Sequence, residues 1–254
     1  AANAGWNGVY AAGGYALYPS VGPSNALYFG VRRVPYSSDL GKNGLTFKHI
    51  QNGIALPVGP PTAFGSSGVN NAEVHNTGEV WCTMLWECYS ALIRDNVRFT
   101  FTQAQKRMRD YLVAAYKLTP NSPTLLEARD ALLAAAVVTD LNDFRAFWTA
   151  FAKRGAGVGA SAPDRFDATN TGVVESFLTG GSLTPISRTL SLDVHNCDLD
   201  GYLDNGEVGH VTVTFRNMGS VSLTGTTLPF LSSNPHVQFP EGSSPSFPSL
   251  APFA

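Results

Sequence analysis

The sequence predicts an α+β chain: a mostly helical region followed by a partial antiparallel β-sandwich. Three observations point there. Apolar residues recur at helical spacing between residues 71 and 153. After a stretch rich in Gly, Ala, Ser, Pro and Thr, the period switches to two, as in His210-Val211-Thr212-Val213-Thr214-Phe215. About 70 residues follow that stretch, fewer than the ~100 of a complete sandwich.

Composition bounds the reading further. A chain of 254 residues can bury a sizeable core. With 44% hydrophobic and 14% charged residues, the composition argues against disorder. A net charge of −2 offers no electrostatic footprint for nucleic acid and no polybasic patch for a membrane surface. No apolar run reaches the ~18 residues of a membrane span, and none resembles a secretory h-region. Low charge with abundant Ser, Thr, Asn and Gly reads as a secreted, extracellular protein. Residue 1 is Ala, and the chain closes on the uncharged Ser249-Leu250-Ala251-Pro252-Phe253-Ala254. Both ends read as cuts from something longer. Three cysteines make no disulfide framework. Cys82 and Cys88, six apart on one predicted helix, point to different faces, and all three cysteines are expected as small buried residues.

Taken in order, residues 1 to about 70 are dense in Gly, Asn, Pro, Ser and Tyr and show no helical period, so an irregular stretch is expected. The first helix is predicted over 71–94 from Val74, Val80, Trp81, Met84, Leu85, Leu92 and Ile93, with Asn70 or Asn71 as its cap. A second is predicted over 102–117, broken by Leu118-Thr119-Pro120-Asn121-Ser122-Pro123. A third runs over 124–138, and a fourth over 141–153 with Phe144, Phe147, Trp148 and Phe151, ending at Gly155. This divides the chain into a helical region 1–160, a linker 161–185 and a β-rich region 186–254. In the last, a strand is expected at 210–215, a turn at Asn217-Met218-Gly219-Ser220, and strands near 221–231 and 235–239.

Three segments carry residues suited to chemistry. In Asn70-Asn71-Ala72-Glu73-Val74-His75-Asn76-Thr77-Gly78-Glu79-Val80-Trp81, His75 at a helix start can donate into a cleft, or simply cap and pack. In Gly30-Val31-Arg32-Arg33-Val34-Pro35-Tyr36-Ser37-Ser38-Asp39, the arginines can bind a carbonyl or carboxylate, or form a surface ion pair. In Cys197-Asp198-Leu199-Asp200-Gly201-Tyr202-Leu203-Asp204-Asn205-Gly206-Glu207, the side chains of Asp198, Asp200, Asp204 and Glu207 suit a hard cation such as Ca²⁺. The same residues also serve ordinary turns. His49, His195, His210 and His236 stand isolated, and surface or strand positions are expected for them.

These first two segments, with Pro123-Thr124-Leu125-Leu126-Glu127-Ala128-Arg129-Asp130-Ala131-Leu132 and Trp148-Thr149-Ala150-Phe151-Ala152-Lys153-Arg154-Gly155-Ala156-Gly157, stand in an order and spacing that resembles fungalysin-type zinc metallopeptidases, relatives of thermolysin. The resemblance spans about residues 6 to 160 and implies the helical C-terminal lobe of the catalytic region. It implies that His75 stabilises the oxyanion and that Arg32 binds the carbonyl of a protein or peptide substrate. Asn70 stands where thermolysin has the aspartate that orients the histidine. The family's zinc lies on His-Glu-x-x-His. The five histidines here include no two spaced by four, so the Zn²⁺ ligands and general base are expected upstream of Ala1, in an N-terminal lobe of the same polypeptide. A lobe without that partner is expected to expose an apolar face. The acidic segment looks like the opening of calcium-stabilised β-sandwich modules appended to secreted bacterial peptidases. The competing expectation is a non-catalytic binding or surface-attachment protein that retains a degenerate peptidase lobe.

Overall fold

The periodic apolar positions between 74 and 153 fold into four helices: α3 (Val74–Arg94), α4 (Phe101–Leu118), α5 (Leu125–Thr139) and α6 (Leu141–Lys153). The computed structural model describes residues 2–240 and 242–254, and it separates into two units after Thr179. In the first unit α3 packs on α4 and α6, and α5 packs on both α4 and α6. Val80, Met84, Cys88 and Leu92 form the buried stripe of α3, and Phe144, Phe147, Trp148 and Phe151 that of α6. Burial of each such side chain stabilises by roughly 1.5–3 kcal/mol. Tyr111 meets Phe147 edge to face with ring centroids 5.2 Å apart, and Trp81 stacks on Phe151 at 6.1 Å.

The helix ends follow local chemistry. Thr100 with Gln103 and Thr124 with Glu127 form reciprocal capping boxes at α4 and α5. Asp140 caps α6 by accepting from the Asn142 N–H at 2.8 Å. Beyond α6 the chain turns at Gly155, whose φ of +79° suits glycine. A Cβ there would fall 2.5 Å from a Glu175 carboxylate oxygen.

The first seventy residues are less irregular than their composition suggests. They hold α1 (Gly14–Val21) and α2 (Pro23–Phe29), separated by Gly22 at φ +78° and started by Pro23 at the first helical position. A short 3₁₀ turn, Phe47–Ile50, is closed by Thr46 and His49 as a capping box. His49 is therefore buried rather than superficial, its Nδ1 accepting from the Thr46 N–H at 2.9 Å. Burial pushes its imidazole down to about 4.

The stretch expected as a linker is partly structured. Main-chain bridges pair Ala156 with Ser176 and Ser161 with Val174, binding residues up to 176 to the helical unit. Small and turn-forming residues there let the backbone lie close: a Cβ on Gly157 would meet the Leu178 carbonyl at 2.4 Å. In the second unit β1 (Leu183–His195) pairs antiparallel with β2 (Val208–Asn217), placing Leu190 opposite Val211. β3 (Leu223–Thr227) pairs antiparallel with β4 (Ser246–Leu250). Strand β1 begins inside the predicted linker, and β4 stands in place of the strand expected at 235–239, where no strand forms. Phe215 meets Phe247 at 5.8 Å, joining the two ribbons. Among the described residues no helix is long and apolar enough to cross a membrane. Cys88 is buried, as expected, but Cys82 and Cys197 are exposed, and all three are free thiols.

Candidate active-site wall

His75 sits in the first turn of α3, and that turn is fixed from several sides. The helix is capped by Glu73, not by Asn70 or Asn71. Glu73 Oε2 accepts from the N–H groups of His75 at 2.9 Å and Asn76 at 3.2 Å, and Glu73 Oε1 lies 2.6 Å from the ring Nδ1 of His75. Bonding to that ring, followed by the main-chain bonds, holds the Glu73 carboxyl below its ordinary range. The His75 side chain is 73% exposed. Asn70 contributes its main-chain carbonyl to the Asn76 Nδ2 at 2.8 Å. Among the described residues its side chain makes no hydrogen bond to His75, so the ring's partner is Glu73. Asn71 does not cap because its side chain is committed elsewhere. It accepts from Arg33 Nη1 at 2.6 Å and donates to the carbonyls of Gln51 and Ile54.

Behind this turn runs a buried polar row that the sequence reading missed. Glu79, Thr83 and Glu87 recur every four residues on α3 and are all buried. Glu79 Oε2 pairs with Arg33 Nε at 2.7 Å, and its Oε1 accepts from the Val34 N–H at 2.9 Å. Arg33 Nη2 also donates to the Asn76 carbonyl at 3.1 Å. Asn43 donates to the Pro35 carbonyl and to Thr83 Oγ1. Glu87 accepts from Arg154 Nη2 at 2.5 Å and from Lys153 Nζ at 2.8 Å. Arg154 further donates to the carbonyls of Ser37, Asn43 and Leu45. Burial lowers the Arg154 pKa against the opposing pull of Glu87. Every charge in the row has an opposite partner, which buried ions require. The polar i, i+4, i+8 spacing of Glu79, Thr83 and Glu87 inside an apolar stripe was the available signal.

This row separates the two arginines. Arg33 is enclosed and fully engaged, and it pins the 31–36 loop to the start of α3. Arg32 remains half-exposed, its Nε donating to the Tyr36 hydroxyl at 3.3 Å. Burial, with Cys82 nearby and opposed by Arg32, pushes Tyr36 up to about 12. Tyr36 also lines an open apolar groove of about 260 Å³ with Cys82, Leu85, Trp86, Tyr89, Met108 and Leu112.

The acidic loop lies between β1 and β2. Asp198, Asp200 and Asp204 bring carboxylate oxygens within 4.8 Å of one another, and all three are exposed. Glu207 does not join them. Its two oxygens accept from the N–H groups of Cys197 at 2.7 Å and Asp204 at 2.9 Å, clamping the two ends of the loop. Asp198 and Asp200 accept from main-chain N–H groups two residues on, as turn residues do. Among the described residues this is the one cluster of metal-ligating type. Its all-carboxylate donor set suits a hard cation and not zinc. No two of the five histidines are spaced by four in the sequence.

The histidine at the start of α3 and the arginine loop pinned to the same turn both lie within one stretch of the chain, residues 9–160. Residues 9–160 match the model of the fungalysin metallopeptidase (M36) family, and the chain belongs to that family. It is similar to extracellular metalloproteinase 10 of Coccidioides posadasii, 33% identical over 142 residues, covering 52% of this chain and 20% of that protein. It is also similar to extracellular metalloproteinase 1 of Trichophyton equinum, 33% identical over 152 residues, covering 56% and 21%. Extracellular metalloproteinase mep of Aspergillus terreus is 30% identical over 146 residues, covering 52% and 20%. The chain matches about a fifth of the length of these relatives.

Proposed function

We propose that this chain forms the non-metal wall of the active site of a secreted zinc endopeptidase that hydrolyses peptide bonds of proteins. The observation that carries the reading is the exposed His75 ring on the first turn of α3, within the family-matched segment. In this reading His75 and Arg32 donate to the scissile carbonyl oxygen as it gains charge. Donors already in place at that moment stabilise developing charge without reorganisation. The Arg33–Glu79 pair keeps both donors on one rigid base by tying their segments together. Zinc and the water that it activates belong to the family's His-Glu-x-x-His, which these 254 residues do not contain. We assign that element to an N-terminal lobe of the same polypeptide, and this chain alone is inactive. The relatives' names as extracellular metalloproteinases support secretion.

The test is His75→Ala in a polypeptide that carries the zinc ligands. Turnover is expected to fall ~10²–10³-fold with bound zinc unchanged. Loss of zinc, or unchanged turnover, overturns the assignment. Zinc-dependent hydrolysis by the purified 254-residue chain overturns the division of labour.

A further inference from the structure

We propose that Glu73 is the positioning residue of His75: one carboxylate closes the N-terminus of α3 and fixes which ring nitrogen faces outward. The two functions are divided between its oxygens. Oε2 takes the main-chain N–H groups of His75 and Asn76, while Oε1 lies 2.6 Å from Nδ1 of the ring. An ionised carboxylate only accepts, so Nδ1 carries the proton in that bond. The neutral ring then leaves Nε2 bare, and among the described residues Nε2 has no partner. The depressed carboxyl of Glu73 keeps the acceptor ionised through the ordinary working range.

The base of the ring is equally constrained. Asn76 is held through its carbonyl by Arg33 and through its side chain by the Asn70 carbonyl. The His75 backbone is thus set by a buried ion pair and its ring by Glu73. A consequence follows for the site, and it rests on the proposed function. With Nδ1–H directed at Glu73, only the doubly protonated ring can donate from Nε2. The donor to an oxyanion is then an imidazolium whose charge is balanced by Glu73.

The test reads the ring directly, by ¹⁵N spectra of the histidines in the 254-residue chain at a pH where His75 is neutral. The Nδ1–H form is expected to predominate in the parent chain. Glu73→Ser keeps a capping side chain but cannot span to the ring. In that variant Nε2–H is expected to become the major form while the helical circular dichroism is unchanged. Glu73→Thr is a second capping variant with the same expectation. A major Nε2–H form in the parent, or the same form in parent and both variants, overturns the proposal. That failure leaves the role of His75 standing, whereas unchanged turnover in His75→Ala overturns the functional reading alone.

Discussion

In the helical unit Glu87 is fully buried against Arg154 and Lys153; in the β-rich unit the most deeply buried polar side chain among the described residues is a neutral amide, Asn217. Asn217 donates to the carbonyls of Val221 and Leu250, and its Oδ1 accepts from the N–H groups of Ser182 and Gly219. Its main chain bonds the carboxyl-terminal residues Phe253 and Ala254. Both residues join segments distant in sequence, but the charges differ for a physical reason. Long amphipathic helices enclose enough apolar volume to shield an ion pair and to supply its carbonyl partners. Two-stranded ribbons enclose little, and most of β1 and β2 is exposed. A neutral amide can be satisfied in that setting without the desolvation cost of a charge.

This contrast is open to measurement because all four tryptophans (Trp6, Trp81, Trp86 and Trp148) lie in the helical unit. Fluorescence therefore follows that unit alone, and circular dichroism follows both. The largest effect is expected from Glu87→Ala, which strands Arg154 among carbonyls. Breaking a buried pair from one side costs about 3–5 kcal/mol, read as an earlier fluorescence transition in denaturant. A loss below about 1 kcal/mol would put the stability elsewhere than in the row.

The next effect is a pH dependence. His49 has a folded pKa of about 4 against an ordinary 6.5, because burial disfavours its charged form. Its stabilising contribution is complete above 6.5 and is lost as the pH falls towards 4, since the unfolded chain binds the proton first. The full loss is on the order of 3 kcal/mol. It should move the fluorescence transition of the helical unit, and His49→Asn should flatten the slope between those values. An unchanged slope in the variant would assign the effect to another group.

Asn217→Ala should destabilise the β-rich unit by about 2 kcal/mol, the cost of leaving buried partners unpaired. The fluorescence transition should stay in place while the residual dichroism transition moves to lower denaturant. Movement of both would mean that the two units unfold together. The smallest effect is expected from Thr124→Ala, which removes one half of the α5 capping box and costs about 1 kcal/mol. Fluorescence denaturation detects it, and no loss would mean that Glu127 caps the helix unaided.

The four long helices were legible because their apolar stripes and stop signals are local. The short helices α1 and α2 were not. Gly22 and Pro23 punctuate them so closely that neither segment is long enough to show a period. Strand β1 was obscured at its start by Pro185 and the polar Ser187-Arg188-Thr189, and its signal is confined to the alternation Leu190-Ser191-Leu192-Asp193-Val194. His75, Arg32 and the acidic loop could be picked out by residue type. Their partners could not, since on paper Asn70 and Asn71 are better caps than Glu73, the residue that caps α3.

The sequence by itself determined the α+β class, the helical core, the family segment and the residues capable of chemistry, because these depend on spacing and residue type. Only the tertiary structure decided that Arg33 is buried and Arg32 is not, that Glu73 and not Asn70 meets His75, and that Glu207 closes its loop instead of joining the aspartates. Each of those choices is a competition between neighbouring side chains for the same partners. It is resolved by contacts such as Arg33 with Glu79, 46 positions apart, that no local pattern encodes.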